Sequence, residues 1–281
     1  MDKDLNYGED YKFIPATSVG SGVGVEVALD LYQYTIQIVN IVLYGDPKTE
    51  EYVLIDAGMP KSAEEIISVV EERFGLNARP KAIILTHGHF DHVGRIIELI
   101  EKWNVPVYAH ALEIPYLTGQ QNYPEPDPSV SSGLVAKMSP IFPNEAISLG
   151  ENIKAIPSNR SIPFMPGFRW IHTPGHSPGH ISLFREKDRV LIAGDAFVTV
   201  KQESLYKVFT QTKEISGPPR YLTMNWQDAR ESVEKLEALK PTIAITGHGL
   251  PMTGEELTKD LKKLVDNFDQ IALPKQGKYL H

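Results

Sequence analysis

Thr86-His87-Gly88-His89-Phe90-Asp91-His92 sets three histidines and an aspartate within six positions. Imidazole nitrogen and carboxylate oxygen are ligands that borderline-soft zinc accepts. His87 and His89 stand two apart on an irregular loop and can turn both rings to one side, onto a single ion. Asp91 and His92 lie one step further on, where a helix is expected to begin, and point at a neighbouring position. One short loop can therefore serve two metals. A histidine-rich surface turn is the plainer alternative, yet the pattern arises by chance in only roughly one chain of this length in a thousand.

With Asp56 ahead of it and His176, Asp195 and His248 behind, this stretch resembles the metallo-β-lactamase superfamily of metallohydrolases. The resemblance runs from about Tyr52 to about Met252, with all five family motifs in order. It implies an α/β fold, the αββα sandwich: two facing mixed β-sheets covered by helices, with metals at one edge of the sheets. By the family pattern, His87, His89 and His176 hold the first metal. Asp91, His92 and His248 hold the second, and Asp195 bridges both. Asp56 matches the first motif and is expected to orient a ligand through hydrogen bonds. The implied cofactor is two Zn2+ per chain, with iron or manganese as alternatives.

Length and composition bound this reading. A chain of 281 residues, 42% of them apolar, can bury a large core. A formal charge of −8 argues against a broad nucleic-acid face, because such binding rests on phosphate neutralisation by Lys and Arg. There is no cysteine, hence no disulfide framework, thiolate nucleophile or thiolate metal ligand. The acidic start Met1-Asp2-Lys3-Asp4 does not read as a signal peptide. The apolar stretch from Ile36 to Tyr44 is too short to span a bilayer. A cytoplasmic protein without nucleic-acid or membrane partners is expected, as a single domain over 1–281.

Strand and helix signals alternate along the chain. Strands are expected at Val23–Ala28, Tyr32–Tyr44, Tyr52–Ile55, Ala82–Leu85 and Val105–Tyr108, then near Phe168–His172, Ile181–Phe184, Val190–Ala193 and Thr242–Thr246. Helices are expected at Lys61–Phe74, with Ser62 as N-cap and Gly75 as stop, from near His92 through Trp103, at Trp226–Leu239 and at Gly254–Phe268. Gly20-Ser21-Gly22-Val23-Gly24 lacks the flanking strand, helix and Lys-Ser/Thr pair of a phosphate loop and reads as a flexible turn.

The downstream motifs sit at strand ends. Pro174-Gly175 forces a tight turn that presents His176, Ala193-Gly194-Asp195 ends a strand on a carboxylate, and Gly247 and Gly249 flank His248. His180, four after His176, is read as a support for the ligands, with the seven ligand positions already filled. His172 reads as a satisfied strand residue, and His110 as the opening of a helical segment.

The chemistry follows from charge. Two Zn2+ against two carboxylates and a bridging hydroxide leave a recess near about +1. The metals lower the pKa of the shared water, polarise a carbonyl or phosphoryl oxygen and steady the leaving atom, while Asp91 or Asp195 holds a proton. The expected reaction is hydrolysis of a small ester, lactone or thioester by that hydroxide. The alternatives are a metal-dependent phosphodiesterase or nuclease and a mononuclear iron enzyme of the sulfur dioxygenase type.

Within the resembling family, β-lactamases that place Cys where Asp195 stands are excluded. Glyoxalase II enzymes carry a helical region after the last histidine, where here only residues 249–281 follow. The stretch Pro115–Phe168, rich in Pro and aromatics and without evident elements, is expected to form a lid, with a homodimer contact as its other role. Tyr123, Phe164 and Arg160 within it, and Tyr206 and Tyr221 on a second loop formed by Ser204–Gln211 and Pro218–Met224, are the candidate substrate contacts. Arg169 is a weaker candidate for a substrate carboxylate.

Overall fold

The computed structural model describes residues 5–49 and 51–280. The chain divides into two compact units. The first runs to Tyr123 and takes in Pro143–Pro166; the second comprises Pro124–Phe142 and everything from Gly167 onward.

The first unit opens with β1 (Leu5–Asn6), β2 (Gly24–Ala28), β3 (Leu31–Ile36), β4 (Val39–Tyr44) and β5 (Val53–Ile55). Next come α1 (Ala63–Phe74), β6 (Ile83–Ile84), α2 (Ile96–Trp103) and β7 (Val107–Ala109). The second unit contributes α3 (Leu134–Met138), after which β8 (Ser148–Leu149) and β9 (Ile153–Ala155) return to the first. Seven strands form one sheet in the order β2-β3-β4-β5-β6-β7-β9, antiparallel from β2 to β5 and parallel from β5 to β9. β1 and β8 pair separately. α1 and α2 supply the crossovers that parallel neighbours require. Ile66, Val69, Val70 and Phe74 form the buried stripe of α1, and the Phe74 ring stacks on Tyr52 at 4.1 Å.

The expected strand Tyr32–Tyr44 is a hairpin. Ile36 pairs with Val39, and Gln37 takes the left-handed region at φ 58 to make the two-residue turn. No glycine or Asn-Gly pair announces it, which is why the stretch reads as one strand. The helix expected from near His92 starts at Ile96 instead. His92 and Val93 donate their N–H groups to His89 O and Gly94 donates to Gly58 O, so a turn uses these residues before the helix can. Ser62 stands at the N-cap position of α1 but bonds Met59 O rather than a helix N–H.

The second unit continues with β10 (Phe168–His172), β11 (Ile181–Arg185), β12 (Val190–Gly194), α4 (Leu205–Thr210), α5 (Trp226–Ala238), β13 (Ile243–Thr246), β14 (Met252–Thr253), α6 (Gly254–Asp266) and α7 (Phe268–Ile271). Its sheet runs β10-β11-β12-β13-β14 and is antiparallel except where β12 meets β13. Phe184, Leu191, Phe197, Trp226, Val233, Leu257, Leu261 and Phe268 pack together as its core. Ser204–Gln211, read from the sequence as loop, contains α4, whose N-cap Ser204 accepts from Lys207 N. The stretch 115–168 likewise carries α3, β8, β9 and short 3-10 turns. Its many prolines mask elements this brief. Among the described residues no helix is long and apolar enough to cross a membrane.

Candidate metal centre

In the first unit, Asp56 follows directly from β5 and organises the histidine loop. Its φ of 62 is a left-handed conformation that aspartate tolerates better than most residues. One carboxylate oxygen, Oδ1, accepts from Thr86 N at 2.8 Å; the other, Oδ2, accepts from Thr86 Oγ1 at 2.8 Å and lies 2.9 Å from His92 Nδ1. These bonds fix hydrogen positions. A carboxylate only accepts, so His92 carries its proton on Nδ1 and turns the Nε2 lone pair outward. The single hydroxyl hydrogen of Thr86 is given to Asp56, so Thr86 Oγ1 can only accept from His87 Nδ1, 3.0 Å away. His87 thereby also presents Nε2.

Potential ligand atoms of His87 and His89 lie within 4.8 Å of one another, as do those of His87 and His92 and of Asp91 and His92. The His87 and His89 rings meet edge to face at 4.7 Å. All four residues are buried.

In the second unit, Asp195 follows β12, His248 follows β13, and His176 lies on the turn after β10. His176 Nε2 is 3.4 Å and His248 Nε2 3.3 Å from the same atom, Asp195 Oδ2. His176 is set by the logic that governs His87. Thr223 Oγ1 donates to Pro219 O at 2.8 Å and so accepts from His176 Nδ1 at 3.3 Å, leaving Nε2 to face Asp195. The turn is pinned as well, because Met224 N and Asn225 N both donate to Gly175 O at 2.9 Å.

His180 lies beneath Asp195. Its Nε2 accepts the Asp195 backbone N–H at 2.9 Å, which forces its proton onto Nδ1 and toward Thr173 Oγ1 at 2.9 Å. The chain runs on through Ser182 Oγ to Ala193 O. His172, half-buried, is satisfied by Pro178 O at 2.8 Å. His110 accepts from Leu112 N in a turn after β7.

The donor set suits a metal of the zinc class. Buried imidazoles with committed Nδ1 protons and buried carboxylates are the ligands such an ion takes. The supporting hydroxyls were not legible as such. Thr173, Ser182 and Thr223 are small polar residues whose role depends on which ring they meet in space, and Glu113, fully buried, carries no sequence signal beyond a carboxylate in an apolar run.

The candidate substrate contacts fall into two groups. Phe164, Tyr206 and Arg160 are exposed, whereas Tyr123 and Tyr221 are buried. The Tyr123 hydroxyl donates to Glu113 and its ring lies 4.5 Å from His89. Burial first, and then the Glu113 charge, push its phenol well above the usual tyrosine range. Tyr221 packs edge-on against Phe142 at 5.5 Å. Arg169 is engaged by Glu186 at 2.8 Å.

Comparison with known proteins agrees with this geometry. Residues 34–248 match the family described as the metallo-beta-lactamase superfamily. The chain is 48% identical over 260 residues to a probable metallo-hydrolase, YflN, of Bacillus subtilis (strain 168), covering 92% of this chain and 98% of that one. A more distant relative is the hydroxyacylglutathione hydrolase GloC of Haemophilus influenzae, 29% identical over 155 residues, 55% of this chain and 64% of that protein. Among solved structures, MEM-A1, a subclass B3 metallo-beta-lactamase from a soil metagenome library, aligns with a TM-score of 0.56 at 23% identity, covering 80% of this chain and 79% of that one. The chain belongs to the metallo-beta-lactamase superfamily, has its α/β fold and is a metal-dependent hydrolase.

Proposed function

We propose that the chain is a dinuclear zinc hydrolase of a small ester, lactone or thioester. The observation that carries this reading is the convergence of His176 and His248 Nε2 on one oxygen of Asp195. A carboxylate approached by two imidazoles in this way is suited to serve two ions. In the proposed set His87, His89 and His176 hold one metal, Asp91, His92 and His248 the other, and Asp195 both. Bound zinc supplies Lewis acidity and a water acidic enough to act as nucleophile near neutral pH.

The chain's own residues do the rest. Asp56 and Thr223 hold three rings in a ligating tautomer, and His180 fixes the backbone from which the Asp195 carboxylate projects. In this reading Asp91 or Asp195 takes a proton in the reaction. The aromatic- and proline-rich stretch 115–168 is assigned to substrate selection, with exposed Phe164 as its apolar element. The thioester arm of the reading draws on the likeness to GloC, whose name describes hydrolysis of an acylated glutathione. The −8 charge of the chain disfavours long polyanions outside any cleft.

The test pairs elemental analysis of gently purified protein with a panel of lactone, thioester and phosphodiester substrates. Two zinc per chain and turnover of a carbonyl substrate are expected. One metal with no second uptake on titration would sink the dinuclear centre. RNA cleavage at physiological salt with no carbonyl activity would replace the substrate class with a nuclease's.

A further inference from the structure

Asp56 holds the two ends of the histidine loop, Thr86 and His92, and through Thr86 Oγ1 the His87 ring, while the backbone turn at Gly88 is held from elsewhere. The middle, His87-Gly88-His89, depends on Gly88, the residue with the widest conformational freedom. Its backbone N–H is directed at two side chains from outside the loop: Glu113 Oε2 at 3.0 Å and Tyr123 Oη at 3.1 Å. The Tyr123 hydroxyl donates in turn to the same Glu113 oxygen. Glu113 is fully buried, and the Tyr123 main chain is pinned to Asn144 by bonds of 2.9 Å in both directions. The Tyr123 ring is clamped between His89 and Tyr116, on which it stacks at 4.1 Å.

The same contacts explain why residue 88 is glycine. Its φ is not positive, so backbone conformation does not demand it. Space does, since a Cβ there would sit 2.6 Å from Tyr123 Oη and 3.0 Å from Leu117 Cδ2. The glycine between the two histidines is thus the steric counterpart of Tyr123, with Leu117 beside it. A carboxylate is the stronger acceptor for a backbone N–H, about twice a neutral one.

We propose that Glu113 and Tyr123 are positioning residues that lock the His87-Gly88-His89 turn, so that the two imidazoles are set for one metal before it arrives. The inference rests on the reading of His87 and His89 as ligands of a common ion. Without the clamp the glycine would let the two rings part, and metal capture would have to order the turn as well as fill it.

The experiment is zinc titration of the metal-free protein against a chromophoric chelator, for wild type, Glu113→Ala, Glu113→Gln and Tyr123→Phe. Glu113→Ala is expected to weaken one zinc equivalent about 10–100-fold and leave the other within threefold. Glu113→Gln, which keeps an acceptor oxygen, should recover most of the loss, and Tyr123→Phe should fall between it and Glu113→Ala. Hydrogen exchange at Gly88 in the metal-free protein should speed up in the same order. If Glu113→Ala and Tyr123→Phe both bound two zinc ions as wild type does, the positioning role would be wrong. Wild-type protein that takes up no zinc would defeat the metal reading itself, so the two failures are distinct. Should Glu113→Ala not fold, Tyr123→Phe and Glu113→Gln decide the matter.

Discussion

The backbone N–H of Asp195 is held by a histidine ring, His180 Nε2, at 2.9 Å. The ring must be neutral to accept it, and its orientation is fixed through Thr173 and Ser182 by a run of bonds ending on Ala193 O. His180→Ala is therefore expected to lower kcat/KM by about 10–100-fold with the Asp195 side chain intact. Steady-state kinetics beside zinc content check it. Unchanged kinetics would reduce the ring to packing.

Asp195→Ala removes the oxygen on which His176 and His248 converge. Zinc occupancy and turnover should both collapse while far-UV circular dichroism stays native, because the residue follows β12 rather than forming part of its ladder. Near-normal turnover would refute the proposed ligand set.

Gly175 has φ 122, and a Cβ there would lie 2.3 Å from Ala229 N and 2.5 Å from Ala229 Cα. Neither atom can move without displacing α5. Gly175→Ala should cost about 2–4 kcal/mol through strain and overpacking together. Chemical denaturation measures this, and the His176 side of the centre should lose metal first.

Acid should loosen the C-terminal segment before the rest. Burial pushes the Asp127 carboxyl up, but hydrogen bonds from Ser129 and the Lys278 backbone outweigh it and hold it below the ordinary 3.8. A carboxyl depressed in the folded state stabilises it above the unfolded value, and this is lost as pH falls from 3.8 through the folded value. Proteolysis at residues 276–279, which also bond Ser129 and Glu125, should accelerate below about pH 4. Asp127→Asn should show fast cleavage already at neutral pH and little further change on acidification.

The histidine loop, the strand-end aspartates and Gly175-His176 were legible because each combines a residue type tied to one kind of chemistry with turn residues that leave it little freedom. β10 was read to its ends for the same reason, since Pro174-Gly175 stops it. The hairpin turn at Gln37-Ile38 was hidden because left-handed backbone there is imposed by the pairing of Ile36 with Val39, not by the residue. Thr223 was out of reach for another reason. A threonine 47 residues from the ring it orients has no local signature. Tyr123 was visible as an aromatic on a Pro-rich stretch, but whether such a ring faces outward or in depends on Glu113 and Gly88, which only the folded chain brings together.

Asp56, Thr86, Asp195 and the segment leading to His248 all leave the chain just past the last residues of β5, β6, β12 and β13. These side chains thus depend on the ladders for their position, and where such a residue joins a ladder it does so through its backbone, as Asp56 N–H does on Ile84 O at 2.9 Å. Evolution or an engineer can therefore rewrite the reaction at a handful of strand-end positions while inheriting the architecture whole, and a lineage that loses its metal need not lose its shape.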